Sequence, residues 1–153
     1  MDKKTLAVLG ASFAALAALV LVTGGGPERP PAEPVVLASL GGESVTWTAC
    51  PAPKCLTVYV APWCGVCRRS TAFIGALVAA MAKAGVPARV VVGRAAAGEV
   101  AEYAAEFGPA ALLDPEGKVP LAGGVPQFIV TAPDGSVLKR QPGVHRIVEP
   151  PVP

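Results

Sequence analysis

The segment that decides the fold is Leu56-Thr-Val-Tyr-Val-Ala-Pro-Trp-Cys-Gly-Val-Cys67. Its first part, Leu56–Val60, consists of β-branched, aromatic and aliphatic residues with little polarity, which is typical of a strand buried on both faces. Pro62 ends that strand. From Cys64 to Ala84 apolar residues recur at intervals of three and four, which predicts a helix. One face of this helix is predicted to comprise Val66, Ser70, Phe73, Ile74, Leu77, Val78 and Met81.

Strands and helices alternate through the rest of the chain. Ala88–Val92 is a second apolar strand, and Ala95–Phe107 is a second helix with an apolar and an acidic side. A loop with a turn at Asp114–Gly117 follows. Gln127–Thr131 and Ser136–Arg140 are then predicted to form a hairpin. The order β-α-β-α-β-β predicts an α/β domain, with a mixed four- to five-stranded sheet and helices on both faces.

The amino-terminal segment has the features of an export signal. Lys3 and Lys4 precede an uncharged stretch whose apolar part, Leu6–Val22, is 17 residues long. That length is short for a membrane-spanning helix and long for the core of a signal peptide. The two lysines place the rest of the chain on the extracytoplasmic, periplasmic face of a membrane. The segment is either a membrane anchor or a cleaved signal peptide.

We therefore divide the chain into four parts: a signal anchor or signal peptide (1–23), a Gly/Pro-rich linker (24–34), a folded domain (35–145) and a tail (146–153). The domain opens with Val35–Leu40 and Glu43–Thr48, which form a hairpin or an extended lead-in. Hydrophobic residues make up 52% of the chain and charged residues 16%, which excludes a disordered chain. A net charge of +2 without a basic stripe argues against a nucleic-acid partner.

Two cysteines occupy the first turn of the predicted helix. The start of a helix presents unpaired N–H groups and the positive end of the helix dipole, which stabilise a thiolate on Cys64. Cys67 lies one turn further on, faces the interior and is near enough to close a disulfide with Cys64. This arrangement predicts that Cys64 attacks a partner disulfide and that Cys67 then displaces the mixed disulfide.

With these residues the chain resembles the thioredoxin-like thiol–disulfide oxidoreductases, over roughly residues 56 to 143. The matching motifs are Ala61–Cys67 after a strand, and Gly124-Val125-Pro126 before the strand Gln127–Thr131. The resemblance implies a thioredoxin-like fold, Cys64 and Cys67 as catalytic residues, and a cis peptide bond before Pro126. It also implies that the Val125 backbone pairs with the substrate. Beside the reactive thiol, Trp63 is expected to add an apolar docking surface for the substrate chain.

The export signal makes the chain most similar to the extracytoplasmic reductases associated with cytochrome c maturation. The resemblance then implies protein thiols or disulfides as substrates, and a membrane or extracytoplasmic thiol as electron donor. No cofactor and no metal are expected, because the two cysteines carry the electrons. The stretch between Ala84 and Gly124 is too short for the helical insertion of the strongly oxidising members. A reductant is therefore favoured over an oxidant.

Three features depart from the family pattern. The dipeptide between the cysteines is Gly-Val, whereas the best-known members have Gly-Pro. Val58 stands where the family often has a buried aspartate that serves proton transfer to the second cysteine. Residues 143–153 are too short and proline-rich for the usual closing helix, so one face of the sheet is either partly bare or covered by the Val35–Thr48 segment.

Other interpretations of the cysteines stay open at this point. Cys50 and Cys55 are candidates for a second disulfide, which serves either as a structural clip or as a relay of electrons to Cys64. All four cysteines together could bind zinc. The Cys64–Cys67 pair could be a permanent clip in a non-catalytic thioredoxin-like module whose surface binds a partner.

Overall fold

Seven strands form one mixed sheet in the order β2-β1-β5-β4-β3-β6-β7. The structure is a computed structural model and describes residues 33–144. The strands are β1 (Val36–Ser39), β2 (Ser44–Thr46), β3 (Cys55–Val60), β4 (Ala88–Gly93), β5 (Leu112–Asp114), β6 (Gln127–Thr131) and β7 (Val137–Pro142). The helices are α1 (Gly65–Arg69), α2 (Thr71–Lys83) and α3 (Ala97–Ala105).

The expected export segment, most of the linker and the tail lie outside the described residues. Within residues 33–144, none of the helices has the length and apolarity needed to cross a membrane.

Strand β3 lies near the middle of the sheet and organises it. All six of its residues are buried, as its composition predicts. It pairs in parallel with β4, with Val60 opposite Val92, and antiparallel with β6, with Val58 opposite Phe128. The hairpin predicted at the carboxyl end is confirmed, because β6 pairs antiparallel with β7. Of the two arrangements expected for the amino-terminal segment, the hairpin is the one found, because β1 pairs antiparallel with β2.

All described helices pack against one face of the sheet, so the expectation of helices on both faces is wrong. From β3 the chain moves to β4 and then to β5, which are successive neighbours in one direction across the sheet. Right-handed crossovers between parallel strands that advance in one direction put both helices on the same side. Ile74 of α2 and Val100 of α3 accordingly share one core cluster with Val58 and Val92.

The opposite face is covered by strands and loops. Its core contains Tyr59, Trp47 from the segment after β2, and Val119 from the loop between β5 and β6. Trp47 is only 1% exposed. The amino-terminal segment thus covers the face of the sheet opposite the helices.

The sheet has seven strands instead of the expected four to five. Besides the amino-terminal hairpin, the added strand is β5, a three-residue element in a segment that the sequence predicts as a loop. A strand of three residues is too short to show the alternation of apolar and polar residues by which strands are predicted. β5 forms because its neighbours β4 and β1 supply hydrogen-bonding partners on both sides.

The single predicted helix from Cys64 to Ala84 is interrupted at Ser70. The Ser70 N–H lies 3.1 Å from the carbonyl oxygens of both Val66 and Cys67, so α1 ends there and α2 begins. The fully buried residues are Cys67 and Ile74, while Val66 and Phe73 are 36% and 43% exposed. The buried face is therefore rotated from the predicted one, and two of its expected members lie on the surface.

Gly93 in β4 is predicted to be essential for packing at the end of the sheet. A Cβ atom at this position would clash with the Tyr59 hydroxyl and the Asp114 backbone oxygen, both buried. We expect Gly93→Ala to lower the free energy of unfolding by about 2–3 kcal/mol in chemical denaturation.

Gly75→Ala in α2 is the matched control, because nothing lies within 4 Å of the added methyl group. Replacement of a helical glycine by alanine is expected to raise stability by up to about 1 kcal/mol. Equal effects of the two substitutions would contradict the described packing.

Candidate active site

The candidate site lies at the end of the sheet where the parallel strands finish. Cys64 follows β3, Arg94 follows β4, and Pro126 directly precedes β6, which is antiparallel to β3 and begins at the same edge. In α/β sheets, sites commonly form outside the carboxyl ends of the strands. The structure therefore brings together Trp63, Cys64, Cys67, Val125 and Pro126.

Cys64 is the N-cap residue of α1. Its backbone is extended (φ −81°, ψ 107°), and its Sγ accepts a hydrogen bond from the Cys67 backbone N–H at 3.2 Å. Its S–H donates to the Val125 carbonyl oxygen at 3.5 Å. The sulfur thus takes the place of the oxygen of an ordinary capping side chain, and a donor of the first helical turn points at it. This donor favours negative charge on the sulfur.

Cys67 has no solvent-exposed surface, and both thiols of the pair are free. Burial, followed by the hydrogen bond with Cys64, raises the pKa of the Cys67 thiol to about 12, against an opposing effect of the Ala61 backbone. None of the groups that act on this pKa is a carboxylate, in agreement with a buried valine at position 58. Cys67 is therefore a protonated thiol at neutral pH.

The Val125–Pro126 peptide bond is cis, and Pro126 is buried while Val125 is partly exposed. The Gln127 side chain, which is fully buried, fixes the preceding loop by donating to the Ala122 carbonyl at 2.7 Å and accepting from the Ala122 N–H at 3.3 Å. Arg140 donates to the same Gln127 oxygen at 3.3 Å. Gln127 was not identified from the sequence as a residue that fixes this loop. The one signal in the sequence is a polar amide residue at the start of an otherwise apolar strand.

Trp63 is 64% exposed and is not a core residue. Its indole Nε1 donates to the Arg94 carbonyl oxygen at 2.7 Å. Arg94 has a left-handed backbone (φ 58°), and its own N–H donates to the Asp114 carbonyl at 3.0 Å. The loop after β4 thus holds the indole next to the cysteine pair.

Asp114 is a buried carboxylate that the sequence did not single out. It accepts hydrogen bonds from the Tyr59 hydroxyl at 2.8 Å and from the backbone N–H groups of Lys118 and Val119 at 2.7 and 3.0 Å. Burial, and then the charge of Asp114, raises the pKa of Tyr59 far above its usual value, so the phenol stays a donor. Asp114 therefore joins the centre of the sheet to the loop that leads to Pro126.

Arg68 fixes the turn between β3 and α1. Its Nε donates to the Pro62 carbonyl at 3.0 Å, and its Nη1 forms an ion pair at 3.0 Å with Glu106, the C-cap residue of α3. Its guanidinium carbon lies 4.0 Å from the centre of the Tyr103 ring, within the range of a cation–π contact. Glu106 thus helps to hold this turn.

The remaining cysteines form a disulfide, Cys50–Cys55, with Cα atoms 5.5 Å apart. Cys55 begins β3 and Cys64 follows its end, so about 17 Å of extended strand lies between the two pairs. This separation opposes both a direct relay of electrons to Cys64 and a zinc site made of all four cysteines. Within residues 33–144, no group of three or more His, Cys, Asp or Glu side chains is placed to hold a metal.

Comparisons with known proteins support the fold. No protein-family model matches the chain, and no curated protein matches it. Among solved structures, a Chlorobium tepidum protein described as a thiol:disulfide interchange protein DsbE is similar, with a TM-score of 0.63 and 20% identity; the match covers 80% of this chain and 88% of that one.

Two further structures agree. A secreted Mycobacterium tuberculosis disulfide oxidoreductase homologous to E. coli DsbE gives a TM-score of 0.55 and 18% identity over 72% of this chain and 84% of that chain. A thio-disulfide isomerase from Thermus thermophilus gives a TM-score of 0.57 and 22% identity, over 78% of this chain and 87% of that chain. The fold is therefore thioredoxin-like, and its structural neighbours are thiol:disulfide oxidoreductases.

The environment of Cys67 predicts a very slow reaction with alkylating reagents. In the Cys64→Ser variant at pH 8, we expect iodoacetamide to modify Cys67 at least about 100-fold more slowly than an unfolded thiol, because only the thiolate reacts and burial disfavours it.

Mass spectrometry of the alkylated protein measures this rate, and the same variant in guanidinium chloride is the control. The rate should rise with pH for as long as the fold persists, because burial, the largest cause of the raised pKa of Cys67, remains in this variant. A native rate equal to the unfolded rate at pH 8 would contradict the buried position of Cys67.

Proposed function

We propose that this chain is a thiol–disulfide oxidoreductase that exchanges disulfides with protein substrates through Trp63-Cys-Gly-Val-Cys67. The observation that supports this proposal most directly is the cap geometry of Cys64. Its sulfur accepts the Cys67 N–H at 3.2 Å and lies 3.5 Å from the Val125 carbonyl, beside the cis proline. A nucleophilic sulfur, a second thiol one turn away and a backbone edge for a substrate chain are thereby in one place.

The first step of the proposed reaction is attack by the Cys64 thiolate on one sulfur of a substrate disulfide. A bond forms between Cys64 and that sulfur, the substrate S–S bond breaks, and the second substrate sulfur leaves as a thiolate. The Cys67 N–H stabilises the attacking charge, since the Cys64 sulfur has this donor before the reaction begins.

In the second step Cys67 attacks Cys64, which releases the first substrate sulfur as a thiolate and leaves a Cys64–Cys67 disulfide. Cys67 must lose its proton first, although no carboxylate acts on it. The leaving substrate thiolate from the first step is the base that accepts this proton. Two of the effects that raise the pKa of Cys67 come from Cys64, and both end once Cys64 is part of the mixed disulfide.

Val125, Pro126 and Trp63 form the proposed substrate site. The Val125 backbone would pair with an extended substrate chain, buried Pro126 fixes the position of that backbone, and exposed Trp63 supplies apolar contact. These roles agree with the position of all three residues around Cys64.

In the cell we propose a reductant role. The two cysteines carry the two electrons, so no dissociable cofactor is needed, and a membrane or extracytoplasmic dithiol would restore the reduced pair. The segment between α2 and β6 holds only β4, α3 and β5, and thus no inserted helical domain of the kind found in strong oxidants.

We also propose that the domain works on the extracytoplasmic side of a membrane, anchored by Leu6–Val22. The charge pattern of the first residues supports export, and the Cys50–Cys55 disulfide is typical of an oxidising compartment. The secreted Mycobacterium tuberculosis protein among the structural neighbours is consistent with this location.

Substitution of the two cysteines tests the proposed activity. We expect Cys64→Ser to lose the acceleration of insulin reduction by dithiothreitol and to fall to the uncatalysed rate, because the attacking sulfur is gone. Cys67→Ser should instead accumulate a mixed disulfide with a substrate, visible as an added mass that dithiothreitol removes.

The Cys50→Ser/Cys55→Ser double variant is the control and should keep its reductase activity, because that pair lies at the other end of β3. Insulin reduction by Cys64→Ser at the wild-type rate would refute catalysis at Cys64. A Cys64–Cys67 reduction potential well below about −300 mV would favour the non-catalytic module instead.

Fractionation tests the proposed anchor. The full-length protein should remain with the membranes after a high-salt and carbonate wash. A variant that lacks residues 5–22 and is exported by an unrelated cleavable signal peptide should instead be found in the soluble periplasmic fraction. A soluble periplasmic protein that starts near Gly24 would show that the segment is a cleaved signal peptide.

A further inference from the structure

An exposed stripe of apolar side chains lies beside the candidate active site. Trp63, Val66 and Phe73 are 64%, 36% and 43% exposed, although each is a large hydrophobic residue. Val66 and Phe73 belong to the two helices that meet at Ser70, and both are exposed. We call Trp63, Val66, Arg69 and Phe73 the docking stripe.

Arg69 lies within this stripe, three residues after Val66 and four before Phe73. Its Nη1 lies 3.4 Å from the position that a Cβ atom on Gly65 would occupy, so the guanidinium extends back toward the residue next to Cys64. In contrast to Arg68, which is paired with Glu106, Arg69 forms no ion pair with any residue between 33 and 144. An unneutralised cation thus lies among exposed apolar side chains next to the nucleophile.

A second exposed cation, Arg94, lies next to Trp63. The Arg94 carbonyl oxygen accepts the hydrogen bond from the Trp63 indole, and the Arg94 side chain packs near Gly117. Its charge is close to the Tyr59–Asp114 pair, since it acts against the rise in the pKa of Tyr59. Buried Asp114 therefore offsets part of the charge of Arg94, and among the described residues Arg69 is the principal free cation beside Cys64.

We infer that the docking stripe selects substrates in which the reactive cysteine is followed by an apolar residue and, two or three positions away, a carboxylate. The inference rests on the proposed function, because it concerns the partner of the same cysteine. An extended chain advances about 3.3 Å per residue, so a carboxylate at that distance from the mixed disulfide reaches the Arg69 guanidinium. The apolar residue meets Val66 or Phe73, where burial of apolar surface favours the complex.

Model peptides test this selectivity with the full-length reduced protein. The substrates are two disulfide-linked peptides that carry the same leucine beside the cysteine and differ in one position, glutamate or lysine, three residues from the cysteine. We expect wild type to reduce the glutamate peptide about three- to tenfold faster at low salt, and the difference to shrink in 0.5 M NaCl.

Arg69→Glu should reverse the order of the two peptides. A change that acted only on the Cys64 sulfur would alter both rates in the same direction, so the opposite signs distinguish docking from thiol chemistry. Phe73→Ala should slow both peptides several-fold. Lys83→Glu is the matched charge reversal at the far end of α2, about 21 Å from Arg69 and beyond the screening length, and should change neither rate.

The possible outcomes separate the two proposals. Reduction of both peptides by wild type at equal rates, or equal effects of Arg69→Glu on both, would overturn the inferred selectivity and leave the exchange activity in place. Failure of wild type to reduce either peptide, or insulin, would overturn the proposed function and this inference with it.

Discussion

The hydrogen bond from the Cys67 backbone N–H to the Cys64 sulfur is the interaction on which the candidate site depends. It exists because the chain leaves a fully buried strand, turns at Ala61–Trp63 and begins a helix with a cysteine in the capping position. A helix as short as α1 has little dipole of its own, so the direct N–H contact is the interaction with which α1 meets that sulfur. The turn is in its place because Arg68 ties the Pro62 carbonyl to α3 through Glu106.

The two faces of the sheet contribute different interactions to the candidate site. The helix face holds Cys67 in apolar surroundings that keep its proton bound, while the other face carries the polar group that fixes the loops. Asp114 joins Tyr59 to the loop after β5 with its carboxylate, and accepts the Arg94 N–H with its backbone oxygen. Through Arg94, this second network reaches the Trp63 indole. Both faces thus converge on the Trp63–Cys67 segment from opposite sides.

The features that were predictable from the sequence have strong local signals. The apolar run of β3, the breaker at Pro62 and the cysteine spacing led to the strand–helix junction and to the fold class. β5 was missed because its pairing with β4 and β1 is a tertiary effect. The break at Ser70 rotated the buried face of the helix and exposed Val66 and Phe73. The prediction assumed one unbroken helix with 3.6 residues per turn, and such a helix has no rotation of its buried face at Ser70. The roles of Asp114 and Gln127 follow from partners far away in the sequence, which no short window contains.

The position of the Cys50–Cys55 bond has a consequence for any chain that exchanges disulfides. Such a protein carries a reactive cysteine that can attack disulfide bonds, including a structural disulfide of its own. Here the bond and the nucleophile belong to opposite ends of one rigid strand, and Cys55 is 1% exposed. The Cys64 of the same molecule cannot reach that bond while the fold is intact, and burial shields the Cys55 sulfur from a neighbouring molecule. The exchange activity proposed for Cys64 and the structural disulfide of the protein are in this way kept apart.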